Sequence, residues 1–420
     1  MFDLIAACLV LTAVLAYLNH RYLRLPMTIG VMSVALLLSF ALIGLDKLGI
    51  SALHDYEAAA LASIDFSELL MQGMLSLLLF AGALHVDMSE LRAFRWQVGI
   101  LALLGTLVST VLIGVGLRYV LPLTGLTLPL GYCLIFGALI SPTDPIAVMG
   151  MLKSARAPKS LAVVIAGESL FNDGVGVVLF TLLVNMVGNG ATPTLARGAI
   201  LLAQQAGGGL LFGLLLGYVT YRMLKSIDSY QEEVLLTLAA VTGGYALASH
   251  LHISGPLATV VAGLVIGNRG RTLAMSDRSR QHLDMFWELL DAILNAVLFV
   301  LIGLQVILFS FSTSILLACA SVILITLAAR VLSVGAPVAL FSRSFRLPPR
   351  SWQVLTWGGL RGGISVALAL SLPATPARDL LLPLTYSVVV FSILGQGLTF
   401  GGLVRRALPV SAEAVQAHSL

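Results

Sequence analysis

The sequence predicts an all-α polytopic membrane protein with thirteen transmembrane helices. Of its 420 residues, 58% are hydrophobic and only 10% are charged, whereas about a quarter of the residues in a soluble domain are charged. The hydrophobic residues form runs long enough to cross a bilayer. Most lysines and arginines lie in short connections between these runs, so the net charge of +4 does not indicate a nucleic-acid-binding protein.

The apolar runs define the predicted helices in order. The first has no basic region before it and no clear cleavage site, so we interpret it as a membrane span and not as a signal peptide. The three cysteines all lie inside apolar runs, which indicates neither a disulfide framework nor a metal cluster. The thirteen segments are 2–18, 26–44, 67–86, 96–117, 128–152, 160–188, 198–221, 232–250, 254–268, 285–305, 314–341, 351–372 and 382–404.

The distribution of positive charge predicts the orientation. Eighteen of the 24 lysines and arginines lie in connections after odd-numbered segments, and four lie in connections after even-numbered segments. Cytoplasmic connections of membrane proteins are enriched in lysine and arginine. The N-terminus is therefore expected outside the cell and the C-terminus in the cytoplasm of a multi-pass protein of the cell (inner) membrane.

An odd number of spans also accommodates two six-helix inverted repeats joined by a linking seventh helix, a common transporter plan. No repeat is visible in the sequence itself. The fifth and twelfth segments nevertheless both contain unusual stretches, "SPTDP" at 141–145 and "WGGLRGGISVALALSLP" at 357–373. In the seventh segment, Gly209, Gly213 and Gly217 predict close helix packing, either within the fold or at a dimer contact.

Ionisable side chains deep in a bilayer are costly and need either a partner or a function. Asp144, Glu168, Asp173, Arg330 and Arg361 lie well inside apolar segments. From the rise of a helix per residue, both aspartates are expected near the midplane on consecutive spans. We therefore expect the two carboxylates to face a common cavity, and the role of Arg330 stays open.

The stretch "SPTDP" predicts an interrupted helix. Pro142 and Pro145 lack amide protons, so two carbonyls of the preceding turn lose their helical donors. Irregular backbone at membrane depth persists only where it is buried in protein or lines a wet cavity. Free carbonyls, the Thr143 hydroxyl and the Asp144 carboxylate are hard oxygen ligands that suit an alkali cation. The alternative is a simple proline kink with a buried salt bridge.

The stretch "GESLFNDG" (167–174) places polar side chains on two faces of the sixth helix. Each residue rotates by about 100°, so Ser169 and Asp173 share one face, while Glu168 and Asn172 share another. We expect Asp173 with Ser169 to face the cavity. Glu168 then needs a cation elsewhere, and Arg361 is the predicted partner in a structural ion pair.

A second polar group lies toward the cytoplasmic ends of the third and tenth helices. Asp291 and Asn295 are four residues apart on one helix, Glu288 precedes them by one turn, and His85 ends the third helix. These four residues are candidates for a cytoplasmic funnel that senses pH. A solvated helix end is the competing interpretation.

Three of these stretches resemble the monovalent cation/proton antiporters of the NhaP type, which are relatives of the sodium/proton exchangers. The sequence carries them in the expected order, and the resemblance covers nearly the whole chain. A fourth stretch, "FWELLDAILNAVLFVLIGL", resembles the tenth span of that family. The three motifs are "SPTDPIAV" (141–148), "GESLFNDG" (167–174) and "GGLRGGISVALAL" (358–370).

The resemblance implies a homodimer whose protomers contain broken, crossing fifth and twelfth helices and two domains. A scaffold or dimerisation domain would comprise residues 1–95 and 191–313, the second part including the linker helix. A core ion-transport domain would comprise residues 96–190 and 314–405. Residues 406–420 would form a cytoplasmic tail.

The resemblance also implies roles for single residues. Asp173 would exchange the cation for protons, and Asn172 is the amide typical of electroneutral members. Thr143, Asp144 and Ser169 would complete a site for a monovalent cation. Glu168 and Arg361 would form the buried ion pair of the family. One departure is Ala81, because many relatives carry a glutamate there.

The expected function is therefore secondary active exchange of protons for Na⁺, with Li⁺ or K⁺ as further candidates, for pH and cation homeostasis. The exchange would be electroneutral and would use no cofactor. We also expect no use of ATP, because the sequence contains no G-x-x-x-x-G-K-[ST] loop. Besides the cation and protons, membrane lipids are the expected partners, and no nucleic acid. An uncoupled cation channel is the alternative. An intramembrane aspartyl protease is disfavoured, so we do not expect an enzyme.

Overall fold

The computed structural model describes residues 2–48, 73–155, 157–188, 200–201, 203–270, 274–309 and 312–408. Within these residues the secondary structure is helical, with no β-strand, so the predicted all-α class is confirmed. The start of the third predicted segment, parts of the seventh and most of the predicted tail lie outside the described residues.

The described residues form twenty α-helices. In chain order they are α1 (Phe2–Leu18), α2 (Met27–Lys47), α3 (Leu75–Leu84), α4 (Met88–Ala93), α5 (Arg95–Ile100), α6 (Thr106–Val120), α7 (Leu130–Ile140), α8 (Ile146–Ser154), α9 (Lys159–Gly188), α10 (Gly208–Leu224), α11 (Tyr230–His250), α12 (Gly255–Val265), α13 (Asp277–Leu304), α14 (Thr313–Arg330), α15 (Ala336–Leu340), α16 (Ser342–Phe345), α17 (Ser351–Trp357), α18 (Gly363–Leu370), α19 (Pro376–Val390) and α20 (Leu398–Ala407).

Several of these helices join through short π-helical or 3₁₀ turns into longer rods. Of the described residues, eight continuous helical stretches are long and apolar enough to cross a membrane. Helices α3 and α7 are apolar but shorter. The eight stretches are Ala6–Leu23, Met27–Asp46, Arg95–Thr124, Lys159–Gly188, Ala203–Leu224, Asp277–Ile307, Thr313–Leu340 and Pro376–Ala407.

Each of the thirteen predicted segments contains helix in its described part. Five of them hold only short or less apolar helices. Two are interrupted, α3 and α12 have 10 and 11 residues, and α11 is not among the helices apolar enough to cross a membrane. The number thirteen therefore stays a prediction, as does the orientation.

Both segments with unusual sequences are interrupted, as predicted. The first leaves helical geometry at 141–145, between α7 and α8, where two prolines remove backbone donors. The second does so at 358–362, between α17 and α18, where glycine occupies three of the five positions. Glycine is the residue with the weakest helical preference after proline. These two interruptions are called the proline break and the glycine break below.

The small residues of α10 pack inside the protomer. A Cβ on Gly213 would lie 2.6 Å from the Ala258 carbonyl oxygen, and one on Gly217 would lie 3.1 Å from the Ala262 Cα. Both neighbours belong to α12, so the glycine ridge lets α10 and α12 approach closely. Of the two locations that the sequence permits for this ridge, the structure selects contact within the fold.

The apolar core consists of several clusters around the broken helices. One cluster joins Phe136 and Leu139 of α7 to Val322 of α14 and Leu384 of α19. Another joins Phe80 of α3 to elements further along the chain, including α11 and α13. The division into scaffold and core domains is not decided by these clusters and stays a prediction.

Candidate functional site

The two breaks lie against each other. The Asp144 backbone N–H donates to the Leu360 carbonyl at 2.8 Å, so the proline break and the glycine break are joined through their main chains. The Arg361 guanidinium also donates to the carbonyls of Ser141 and, at 2.9 Å, Pro142. The Ser141 carbonyl, whose helical donor would have been the missing N–H of Pro145, is thus satisfied by an arginine of the other break, and so is the neighbouring Pro142 carbonyl.

Asp144 lies where two half-helices begin. Its Oδ1 accepts from the Ile146 backbone N–H at 2.9 Å, at the N-terminus of α8. A Cβ on Gly362, the residue before α18, would lie 2.3 Å from Asp144 Oδ2. Only glycine therefore leaves room for this carboxylate. Helix N-termini carry partial positive charge, which stabilises a negative side chain placed beside them.

Thr143 is held by two side chains of α9. Its backbone N–H donates to Asn172 Oδ1 at 3.1 Å, and its hydroxyl accepts from Asn172 Nδ2 at 2.8 Å. The same hydroxyl lies 2.9 Å from the Ser169 hydroxyl. Asn172 and Ser169 therefore fix the backbone of the proline break in place, and all three side chains are buried.

A cavity of about 360 Å³ opens beside this arrangement. The Asp173 carboxylate is 6% exposed, and none of the described residues donates a hydrogen bond to it. Asp173 therefore faces the cavity with its oxygens uncommitted. The cavity has seven polar or charged lining residues among those described. They are Thr143 and Asp144 in the proline break, Asp173 on α9, Asp291 and Asn295 on α13, His85 after α3, and Ser365 on α18.

The expectation that Asp144 and Asp173 share a cavity is confirmed. Ser169 and Asn172 are predicted ion ligands as well, but neither is among the described residues that line the cavity. Ser169 faces Thr143 together with Asn172, because residues three apart on a helix also lie on neighbouring faces. Their roles as direct ion ligands stay predictions.

The predicted cytoplasmic group is partly assembled. Asp291, Asn295 and His85 line the same cavity as the two aspartates. The Asn295 amide donates to Asp291 Oδ1 at 3.1 Å, and His85 Nδ1 lies 2.8 Å from the Ala81 carbonyl oxygen. Glu288 is not among the described residues of the lining. Ala81, the position at which the resemblance implies a glutamate in relatives, is also outside that lining.

The prediction that Glu168 pairs with Arg361 is wrong. Glu168 is 1% exposed and forms a bidentate ion pair with Arg330, with Nη1–Oε1 at 2.5 Å and Nη2–Oε2 at 3.2 Å. Arg330 Nη2 also donates to the Leu355 carbonyl at 3.0 Å. Gly359 makes room for this arginine, because a Cβ there would lie 2.4 Å from Arg330 Nε.

The physical reason is that the two arginines face different acceptors. Arg361 lies in the glycine break, opposite the carbonyls of the proline break. Arg330 ends α14, and its guanidinium reaches the face of α9 that carries Glu168. The prediction that Glu168 and Asp173 lie on different faces of α9 is confirmed, because Glu168 pairs with Arg330 of α14 and Asp173 lines the cavity. The position of Arg330 inside an apolar segment was the sequence signal for a partner, but the sequence interpretation chose Arg361 and left Arg330 without a role.

Gly362 is a further residue that sequence reasoning passed over, although the density of glycines at 358–363 was the available signal. Its lack of a side chain is what admits the Asp144 carboxylate. The assembled site thus combines carboxylates, a hydroxyl and two helix N-termini around one cavity. Such a set of hard oxygen ligands suits an alkali cation or a proton.

Comparisons with known proteins agree with this chemistry. Residues 10–406 match the family described as "Sodium/hydrogen exchanger, transmembrane". The Na(+)/H(+) antiporter NhaP of Pseudomonas aeruginosa is 54% identical over 411 residues, which is 97% of each chain. The Na(+)/H(+) antiporter NhaH of Halobacillus dabanensis is 36% identical over 384 residues, covering 89% of this chain and 91% of the relative.

The fold is also similar to a solved structure. The sodium proton antiporter MjNhaP1 from Methanocaldococcus jannaschii at pH 8 superposes with a TM-score of 0.67. The alignment covers 91% of this chain and 99% of that one, at 21% sequence identity. The two chains therefore share one fold.

Proposed function

This chain belongs to the sodium/hydrogen exchanger family, and from that premise we propose that it exchanges sodium ions for protons across the cell membrane. The observation that carries the proposal is the Asp173 carboxylate, which faces the cavity and accepts no hydrogen bond from the described residues. A buried carboxylate without a donor has two available partners, a proton or a metal cation. Both neutralise the charge that burial makes costly.

Coupling follows when the two partners exclude each other. A proton on the Asp173 carboxylate removes the charge that holds a cation, and a bound cation occupies the oxygens that would take the proton. If only the loaded forms let the site move between the two sides of the membrane, each sodium ion that crosses one way is balanced by protons that cross the other way. Such alternating access is the common plan of secondary transporters.

The remaining site residues have distinct proposed tasks. Asp144, held between two half-helix N-termini, contributes a fixed negative charge to the cavity. Thr143 presents the unwound backbone, and Asn172 with Ser169 holds that backbone in place. Because Asn172 carries no charge beside Asp173, we expect one proton for each sodium ion and no net charge moved. Glu168 and Arg330 hold α9 to α14 and take no part in exchange.

Exchange by reconstituted protein tests this proposal. In proteoliposomes loaded with a pH-sensitive dye, wild-type protein is expected to move protons when a sodium gradient is applied. Asp173→Asn is expected to abolish this signal, while the exposed control Asp277→Asn keeps it. Proton movement by Asp173→Asn at the wild-type rate would refute the assignment, provided that both proteins elute as folded species.

Competition between sodium and protons for Asp173 predicts a second result in the same assay. The half-saturating sodium concentration is expected to rise as pH falls, while the maximal rate at saturating sodium stays nearly constant. Replacing sodium with lithium or potassium ranks the cations. An imposed membrane potential should leave the exchange rate unchanged if one charge crosses in each direction. Cation flux without proton movement would instead indicate an uncoupled channel.

The orientation and assembly belong to the same proposal. The charge asymmetry of the connections supports an N-terminus outside and a C-terminus in the cytoplasm. In a variant without the native cysteines, an impermeant maleimide added to intact cells should label Leu123→Cys and not Glu90→Cys. The resemblance to NhaP-type antiporters supports a homodimer. Native mass spectrometry from lipid nanodiscs should then give twice the protomer mass.

A further inference from the structure

The cavity wall contains a hydroxyl that the exchange mechanism does not yet use. Ser365 lines the same cavity as Asp144 and Asp173. Its side chain is 1% exposed, and its Oγ has no hydrogen-bond partner among the described residues. Several other buried hydroxyls in the described residues also lack partners, for example Ser109 and Ser333. Among the unpartnered buried side chains of the described residues, Ser365 alone lines this cavity.

The missing partner has a local cause. Serine hydroxyls inside helices usually donate to a carbonyl three or four residues earlier, as Ser33 does to Ile29 at 2.7 Å and Ser371 does to Leu368 at 2.8 Å. Ser365 is the third residue of α18, so the corresponding carbonyls belong to Arg361 and Gly362 in the glycine break. The backbone there is not helical, and its carbonyls are not aligned along the helix.

An unpaired hydroxyl in a buried position costs free energy. Alanine, whose side chain is a methyl group, would avoid this cost. An external partner for the Ser365 hydroxyl would also remove it. The cavity beside Ser365 also holds the carboxylates of Asp144 and Asp173, which attract cations. An alkali cation binds hard oxygen ligands, and a neutral hydroxyl oxygen is one of them.

We propose that the Ser365 hydroxyl is an additional oxygen ligand of the transported cation, supplied by α18 across the cavity from α9. This inference rests on the proposed sodium/proton exchange and adds one ligand to it. Through Ser365, the half-helix α18 that follows the glycine break would contribute directly to the cation site, in addition to the room that Gly362 makes for Asp144. The hydroxyl would contact the cation and not the exchanged proton, because the carboxylate is the stronger base.

The effect of removing one ligand can be stated in advance. Loss of one neutral oxygen ligand weakens the binding of a charged partner, and a tenfold weaker binding corresponds to about 1.4 kcal/mol. In proteoliposomes, Ser365→Ala is therefore expected to raise the half-saturating sodium concentration roughly tenfold. The maximal rate at saturating sodium should change little, because Asp173 is retained.

Ser109→Ala is the matched control. Ser109 is also buried, its hydroxyl also lacks a partner, and it is not among the residues that line the cavity. Both variants lose an unpaired hydroxyl, so both should unfold at or above the wild-type temperature in sodium-free buffer. Only Ser365→Ala should then lose part of the thermal stabilisation that added sodium gives to the wild type.

The outcomes separate the two claims. A raised half-saturating sodium concentration and a reduced sodium-dependent thermal shift in Ser365→Ala, with Ser109→Ala unchanged, support the ligand. Wild-type values of both quantities in Ser365→Ala overturn it and leave sodium/proton exchange standing. A wild-type protein that moves no protons under a sodium gradient overturns the proposed function itself, and the ligand with it.

Discussion

The proline break and the glycine break lie against each other, yet they interrupt their helices by different means. At 141–145 two prolines remove backbone donors, and polar side chains such as Thr143 and Asp144 fill the break. At 358–362 glycines predominate, and the long side chain there is Arg361. The proline break thus supplies acceptor oxygens. The glycine break supplies the Arg361 guanidinium and the space that its glycines leave for other side chains.

The difference teaches why neither break stands alone. In the proline break, Pro145 leaves the buried Ser141 carbonyl without its helical donor, and Arg361 of the glycine break donates to it and to the Pro142 carbonyl. Glycines in turn make room for groups that come from elsewhere. Gly362 admits the Asp144 carboxylate, and Gly359 admits Arg330. The two breaks are therefore complementary parts of one site, although they lie far apart in the sequence.

The largest expected effect comes from the arginine that has a carboxylate partner. Arg330→Ala leaves Glu168 buried without a cation, and breaking a buried pair in this way costs about 3–5 kcal/mol. We expect a marked fall in the unfolding temperature in detergent. A double-mutant cycle should give strong coupling between Glu168 and Arg330. Additive effects for that pair, with coupling between Glu168 and Arg361 instead, would contradict the observed pairing.

A smaller loss is expected at the arginine whose acceptors are carbonyls. Arg361→Ala leaves the Ser141 and Pro142 carbonyls without their donor, and each unsatisfied buried group costs about 1–3 kcal/mol. Thermal unfolding should show destabilisation of about 2 kcal/mol in total, because two carbonyls each lose a donor at the lower end of that range. The exposed control Lys225→Ala should unfold like the wild type. An Arg361→Ala protein of wild-type stability would mean that the proline break does not depend on this arginine.

The space that Gly362 leaves for the Asp144 carboxylate can be tested by one substitution. Gly362→Ala places a Cβ where Asp144 Oδ2 lies, so the carboxylate or the break must shift, at a cost of about 1–3 kcal/mol. Because positioning errors of this size strongly reduce rates, exchange should fall by roughly tenfold or more. Gly82→Ala is the control, since Gly82 lines the same cavity and an added Cβ meets nothing within 4 Å. Equal activity of the two variants would rule out the steric role of Gly362.

The smallest expected effect concerns the hydroxyl that ties the proline break to α9. Thr143→Val removes the acceptor of the Asn172 amide and the contact with Ser169, which lowers stability by about 1 kcal/mol. The half-saturating sodium concentration should also rise, because the break loses one of its two links to Asn172. Thr181→Val, whose hydroxyl donates only to the Val177 carbonyl, serves as the control. An unchanged sodium dependence in Thr143→Val would mean that the Thr143 hydroxyl does not affect sodium binding, and that only the Thr143 backbone N–H, which donates to Asn172, matters.

Most of the fold could be predicted from local patterns. Each predicted apolar segment contains helix, and both breaks occur where prolines or clustered glycines stand. The opposite faces of Glu168 and Asp173 also follow from helical rotation alone. The ion pair could not be predicted in the same way. Arg330 and Arg361 are alike in charge and depth, and the sequence gives no measure of which one reaches α9.

The amino-acid sequence by itself determined which charged side chains lie inside apolar segments, where two helices are interrupted, and that Asp144 and Asp173 approach one cavity. These features depend on backbone donors, helical rotation and chain length, all of which act over a few neighbouring residues. Only the tertiary structure decided that Arg330 neutralises Glu168, that Arg361 serves the carbonyls of the proline break, and that Gly362 and Ser365 meet the cavity. Those pairings depend on how distant helices pack, because distances of a few ångströms between elements far apart in the chain select the partner of each buried group.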